Sequence, residues 1–279
     1  MKPTDYHTHT PLCRHAEGSV REYVQAALQQ GLAEYGVADH APMPNEPFDD
    51  WRMLSSELPA YFDWIAEAEC LARDTDLQIR CGLECDWVPG IESWIDHLHA
   101  LRDWDYLIGS VHYLDNKWDF DNPLSMVFWN QTSVEEAWRR YWNLYLDMVR
   151  SRQFTIMGHA DLIRKFGHRP SGDLKRYYIP VIEAMADAGS VLEINTAGWS
   201  KPCAEQYPSR EFLSLACEAG IPLVINSDAH APQDIGKDFE RALTLAKETG
   251  FSHLARIKRG RIVLMPIDDT GSQDEPEQA

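Results

Sequence analysis

Short apolar runs alternate along this chain with longer segments whose apolar positions recur at helical spacing. Strand-like runs fall at 34–38, 78–85, 106–111, 154–157, 191–195, 223–226 and 261–265. Each is mostly apolar without strict alternation, the pattern of strands buried on both faces in a parallel sheet. Amphipathic segments lie between them at 19–30, 57–73, 91–101, 133–151, 176–188, 209–219 and 232–249, and these are predicted to be helices. Several stop at glycine, as in Gln30-Gly31, Ala188-Gly189, Ala219-Gly220 and Thr249-Gly250, which suits a left-handed C-terminal cap. The β–α alternation predicts an α/β fold, either a parallel barrel or a doubly wound sheet.

Polar clusters decide between the two. They stand at Asp5-Tyr6-His7-Thr8-His9, Ala38-Asp39-His40, Gly82-Leu83-Glu84, Val111-His112, Gly158-His159 and Ser227-Asp228-Ala229-His230, most of them directly after an apolar run. A barrel gathers functional groups from many strand ends at one mouth, whereas an open sheet concentrates them at a single switch point. A barrel is therefore expected. Two connections, 41–56 and 113–132, exceed ordinary βα loops and are expected to shape access to that mouth. The chain shows no internal repeat and no glycine-rich phosphate loop.

Composition narrows the function. With 279 residues, 44% of them hydrophobic, the chain can build one large core, and residues 1–267 are expected to form one domain. Lys and Arg number 26 against 44 Asp and Glu, a formal charge of −18 that repels a polynucleotide partner. No apolar run is long enough to span a bilayer. The chain opens on Met1-Lys2-Pro3-Thr4-Asp5 without an apolar leader, so a cytoplasmic address is expected. Six cysteines sit singly, with Cys81 and Cys85 flanking Glu84; reduced thiols are expected, neither a disulfide framework nor a zinc ribbon. Residues 268–279 carry Asp268, Asp269, Asp274, Glu275 and Glu277 among Gly, Ser and Pro and are expected to be a disordered acidic tail.

Imidazoles with a few carboxylates are the ligands of borderline divalent cations. His7 and His9, two residues apart, face one side of an extended segment and can clasp one ion, with Asp5 on the same face. A lone pair of this kind is about as often a solvent-facing strand feature, but five matching clusters favour metal. Glu84 at the end of an apolar run needs a metal or a partner, with Arg80 or Lys165 as the alternative salt-bridge partners. Asp228 and His230 repeat the spacing of His7 and His9, while His112 and His159 each close a run. His97, His99, His168 and His253 fall in a helix, a loop and a turn, outside the set. Arg164 and Lys165 follow His159 closely enough to reach a phosphate oxygen, Arg164 by a bidentate fork.

The segments Asp5-Tyr6-His7-Thr8-His9-Thr10, Cys13-Arg14-His15-Ala16-Glu17-Gly18, Ala38-Asp39-His40-Ala41-Pro42, Gly158-His159-Ala160-Asp161-Leu162 and Ser227-Asp228-Ala229-His230, in this order, resemble the polymerase-and-histidinol-phosphatase (PHP) superfamily. More narrowly, they resemble its monofunctional histidinol-phosphate phosphatases. The resemblance covers residues 5 to about 250. It implies a distorted seven-stranded (β/α)7 barrel with three divalent ions at its C-terminal mouth, a mixture of zinc, iron or manganese. Carried over, it places His7, His9, Glu84 and Asp228 on one ion, Glu84, His112 and His159 on the second, and His15, His40 and His230 on the third. His15 enters only through the resemblance.

The implied reaction is hydrolysis of L-histidinol phosphate, a small phosphorylated metabolite, by in-line attack of a metal-bound hydroxide on phosphorus. Glu84, Asp228 and His230 would then be catalytic through the ions, and Asp5 would accept a hydrogen bond from a ligating imidazole. One departure touches the substrate. Where these phosphatases read Ala-Gly-Leu-Arg-Lys-Pro, this chain has Ala197-Gly198-Trp199-Ser200-Lys201-Pro202, leaving Lys201 or Arg210 to replace the missing arginine. The alternatives are a phosphatase or phosphodiesterase for another small ester and, from another class, a polymerase-associated proofreading domain, which the acidic charge disfavours.

Overall fold

The computed structural model describes residues 1–115 and 118–267, so the acidic segment 268–279 lies outside the described residues. Buried, β-rich runs pair in parallel and helices cover them, giving an α/β fold. Strands β1 (Thr4–Asp5), β2 (Glu34–Val37) and β3 (Gln78–Cys81) form one parallel sheet, and β4 (Glu84–Asp86), β5 (Ile108–Ser110), β6 (Ile156–Met157), β7 (Val191–Asn195) and β8 (Leu223–Asn226) form another. Single bridges, Thr8 to Ala229 and His40 to Glu84, run between the ends of the two sheets. No continuous ladder closes a ring among the described residues.

Helices α1 (Val20–Gln29), α2 (Leu58–Ala72), α3 (Glu92–Leu101), α4 (Val134–Ser151), α5 (Lys175–Ala188), α6 (Arg210–Glu218) and α7 (Phe239–Glu248) follow the amphipathic segments. Ser19 and Glu22 form a reciprocal capping box that starts α1, and Ser133 accepts from Glu136 N to start α4. Gly189 ends α5 in the left-handed region at φ 68°, its N–H bonded to Met185 O, where a Cβ would cost backbone strain. One apolar core runs from Val20 to Ile267. A second, small cluster joins Tyr6, Ile108, Ile156, Val191 and Val224 beneath the strand ends.

Three expectations need correction. The first strand, β1, is only two residues long and escaped the hydrophobic pattern. The run 78–85 is broken at Gly82, where a Cβ would stand 2.4 Å from the Tyr106 ring; the break sends β3 and β4 to different sheets. The last run is not a buried parallel strand. It is β10 (Arg261–Pro266), which pairs antiparallel with β9 (His253–Lys258) and is largely exposed.

Candidate metal centre

Parallel pairing brings the C-terminal ends of the strands to one face, and the polar clusters meet there. His7 and His9 follow β1, His40 follows β2, His112 and His159 lie two residues beyond β5 and β6, and Asp228 and His230 follow β8. Glu84 is at the centre, as the first residue of β4 and not the end of its run. Its Oε2 lies 3.3 Å from His7 Nε2, 3.7 Å from His9 Nε2 and 2.8 Å from His40 Nδ1, and its Oε1 lies 2.8 Å from His159 Nε2 and 3.6 Å from His112 Nε2. Asp228 Oδ1 stands 3.0 Å from His9 Nε2 and 3.7 Å from His7 Nε2. Neither alternative partner reaches Glu84: Arg80 binds Glu34 and Lys165 binds Asp121.

Two of these approaches, His159 Nε2 to Glu84 Oε1 and His9 Nε2 to Asp228 Oδ1, are hydrogen bonds, but they leave several buried atoms of the cluster unsatisfied. His40 Nδ1 and Glu84 Oε2 are close but misaligned, and both are buried without a hydrogen-bond partner, as are His7 Nε2 and His230 Nε2. Each such orphan costs about 1–3 kcal/mol. One kind of ligand satisfies them all, because a divalent cation takes lone pairs from several sides. Potential ligand atoms gather within 4.8 Å of one another in the sets His7, His9 and Glu84; Glu84, His112 and His159; and His15, His40 and His230. Cys13 also lies within reach of His9 and His230, and burial pushes its thiol pKa up.

The charges suit such an occupant. Burial opposes ionisation of Glu84, and the imidazoles of His7, His40 and His112 overcome it, holding its pKa well below the ordinary range. Burial likewise opposes a charge on His9 and His112, yet Asp228 and Asp39 raise the first to about 9 while Asp86 and Glu84 raise the second to about 10. His40 is pushed down by burial to about 4 despite Glu84. A metal would displace the imidazole protons, since ligating nitrogens must be bare.

Three carboxylates orient the rings from behind. His7 Nδ1 lies 2.9 Å from Glu193 Oε2, His9 Nδ1 3.3 Å from Asp39 Oδ1, and His112 Nδ1 2.8 Å from Asp86 Oδ1. This fixes which nitrogen faces Glu84. Asp5, expected in that role, instead accepts from Ser227 N and Oγ, Gly236 N and His7 N. It ties β1 to the loop that carries Asp228. Residues outside the set are accounted for: His97 lies tilted against Trp94, His99 bonds Gln153 O, His168 stacks on Trp129, and His253 opens β9.

A cavity of about 580 Å³ opens over the centre, with Glu84, His15, His159 and Asp228 in its floor and Trp51, Ser200 and Lys201 among its walls. Of the expected substrate contacts only Lys201 lines it. Arg164 is 1% exposed and turned inward by Asp161, a left-handed residue at φ 62°. Its guanidinium is spent on Asp161, Glu205 and Gln206 O. Arg210 pairs with Glu248 on the surface. Lys165 and Lys237 also line the cavity; Lys237 was not singled out by the sequence, being an ordinary lysine in a turn. Arg164→Met should lower unfolding stability by about 3 kcal/mol, because it strands buried Asp161. Urea denaturation alongside phosphate inhibition would check this, and a large loss of phosphate affinity with stability intact would restore Arg164 to substrate binding.

A parallel α/β fold with a buried glutamate ringed by strand-end histidines defines a class of metal-centre protein. Residues 5–197 match the PHP domain model. The chain is 41% identical over 248 residues to a probable histidinol-phosphatase of Deinococcus radiodurans, covering 88% of this chain and 93% of that one. It is 29% identical over 268 residues to the histidinol-phosphatase of Bacillus subtilis, covering 87% and 99%. The crystal structure of the Lactococcus lactis histidinol phosphate phosphatase, complexed with zinc, L-histidinol and phosphate, superposes with a TM-score of 0.78 at 25% identity, covering 94% of this chain and 99% of that one. The chain belongs to the PHP-domain family, in its histidinol-phosphatase branch.

Proposed function

We propose that this chain is a metal-dependent phosphomonoesterase that hydrolyses L-histidinol phosphate to L-histidinol and phosphate. The observation that carries the reading is the set of buried, unpartnered ligand atoms of His7, His40, Glu84 and His230 on the floor of an open cavity. The family relatives and the zinc, histidinol and phosphate in the Lactococcus structure support it. Three divalent ions, zinc, iron or manganese, would be held by His7, His9, Glu84 and Asp228, by Glu84, His112 and His159, and by His15, His40 and His230. Bound there, they would supply Lewis acidity toward phosphate oxygens and acidify water near neutral pH.

The chain's own residues do the rest. Glu193, Asp39 and Asp86 hold the imidazoles in one tautomer and orientation. Trp51 stands edge-on to His40 at 4.7 Å and to His112 at 5.6 Å, shielding one side of the centre from water. Lys201 offers a mobile positive charge at the cavity wall for a phosphate oxygen. Lys201→Ala should raise KM about fivefold with kcat less changed, as an exposed point charge is worth ~1 kcal/mol; an unchanged KM would remove it from the site. The two bridges and the small cluster under the strands support a distorted barrel in which residues 1–267 act as one domain.

A second reading has its own motive. Ser200 stands where these phosphatases have arginine, and no arginine lines the cavity among the described residues. Another small phosphate monoester would then be the substrate. Steady-state kinetics on L-histidinol phosphate and a panel of small monoesters and nucleotides separates the two; similar efficiency across the panel rejects the first. Elemental analysis of protein purified without chelators should give close to three ions per chain, and one ion per chain would contradict the ligand sets.

A further inference from the structure

The cavity wall beside His112, where Phe120 N bonds His112 O, has more negative charge than its own residues neutralise. Asp119 and Asp121 line the same cavity as Glu84, His159 and Lys201. Asp121 Oδ2 is taken by Lys165 Nζ at 2.8 Å. Asp119 is only 8% exposed; its Oδ2 accepts from Asn122 Nδ2 at 2.9 Å, its Oδ1 is buried with no N–H or ammonium donor, and its carboxyl is hydrogen-bonded to that of Asp121. Two neighbouring carboxylates therefore share one ammonium. A buried carboxylate oxygen left unpaired is costly, and the deficit is met by a proton or by a cationic donor from outside. Burial and the charge of Asp121 both raise the pKa of Asp119, which shows the same deficit as a held proton.

We propose that Asp119, beside Asp121, is a specificity-determining residue that receives the cationic organic half of the phosphate ester. The inference rests on the phosphomonoesterase reading and names the chemistry that reading must recognise. L-histidinol phosphate is bipolar, with an ammonium and an imidazole at one end and a phosphate at the other. Its phosphate end lies toward the histidine cluster and Lys201, and its amine replaces the proton on Asp119. An ester lacking the cation leaves the proton on Asp119 and gains no ion pair there, so the carboxylate selects for the amine. The missing loop arginine then matters less, because part of the selectivity moves from the phosphate end to the amine end.

Kinetics of the metal-loaded full chain and of Asp119→Asn on L-histidinol phosphate, O-phosphoethanolamine and p-nitrophenyl phosphate test this. The efficiency ratio of each cationic ester to the neutral one should fall at least about tenfold in the variant, mainly through KM, as loss of a charge-assisted hydrogen bond would give. Equal losses on all three esters, or unchanged ratios, would overturn the proposal. A ligand-side cut needs no variant. The wild-type enzyme should be inhibited at least about tenfold more strongly by L-histidinol than by its analogue lacking the amine, and equal inhibition would also overturn it. If the wild type fails to hydrolyse L-histidinol phosphate, the substrate assignment falls, and the role of Asp119 is decided by phosphoethanolamine against p-nitrophenyl phosphate.

Discussion

Glu84→Gln is expected to empty two metal sets together and to lower kcat by more than about 100-fold. Oε2 of this residue faces His7, His9 and His40, and Oε1 faces His159 and His112. An amide has one weak acceptor oxygen and would turn N–H donors toward ring nitrogens that carry lone pairs when a metal is bound. The carboxylate lies within 3.7 Å of all five of these imidazoles, so its loss removes the field that offsets their crowding. Metal content and kcat measured on the same preparation are the check. Loss of one ion, with the others at full occupancy, would show that Glu84 serves a single site. A variant with full occupancy and unchanged kcat would move the chemistry elsewhere.

The ligand candidates were legible because most of them are imidazoles or carboxylates directly after an apolar run, and parallel strands carry such ends to one face. His15 is the exception; it sits in a loop, and only the family resemblance singles it out before the structure places it 5.5 Å, ring to ring, from His40. The residues that orient the rings were less visible. Glu193 lies inside Val191-Leu192-Glu193-Ile194-Asn195, where a strand reading absorbs it. Its one signal was physical: a charge inside a fully buried run must be paired. Arg164 failed in the opposite way. Its closeness to His159 in sequence says nothing about the left-handed turn at Asp161 that swings the guanidinium inward. The strand pattern failed where the strand is too short to show a period, at β1, and at Gly82, where a run that composition reads as continuous is divided between two sheets.

Glu193→Gln should show how much of the centre depends on that hidden carboxylate. Glu193 is fully buried and accepts four hydrogen bonds: His7 Nδ1 at 2.9 Å and Asn226 Nδ2 at 2.8 Å on Oε2, and His159 N at 2.9 Å and Asn195 Nδ2 at 3.0 Å on Oε1. These partners belong to the ends of β1, β6, β7 and β8, so one side chain registers four strands. Glutamine has a single acceptor oxygen. Whichever way the amide turns, its NH2 meets two N–H donors, and at least one of His7, His159, Asn195 and Asn226 must shift or lose its partner. The charge that stabilises His7 disappears with it. The expected cost is about 3 kcal/mol of unfolding free energy, as for breaking a buried charged pair, with metal affinity down about 10–100-fold. Urea denaturation of the metal-free protein reads the first effect, and metal titration of folded protein reads the second. A variant that loses stability yet binds metal as tightly as the wild type would confine Glu193 to strand registration. One that keeps its stability but loses metal affinity would make the orientation of His7 its whole contribution.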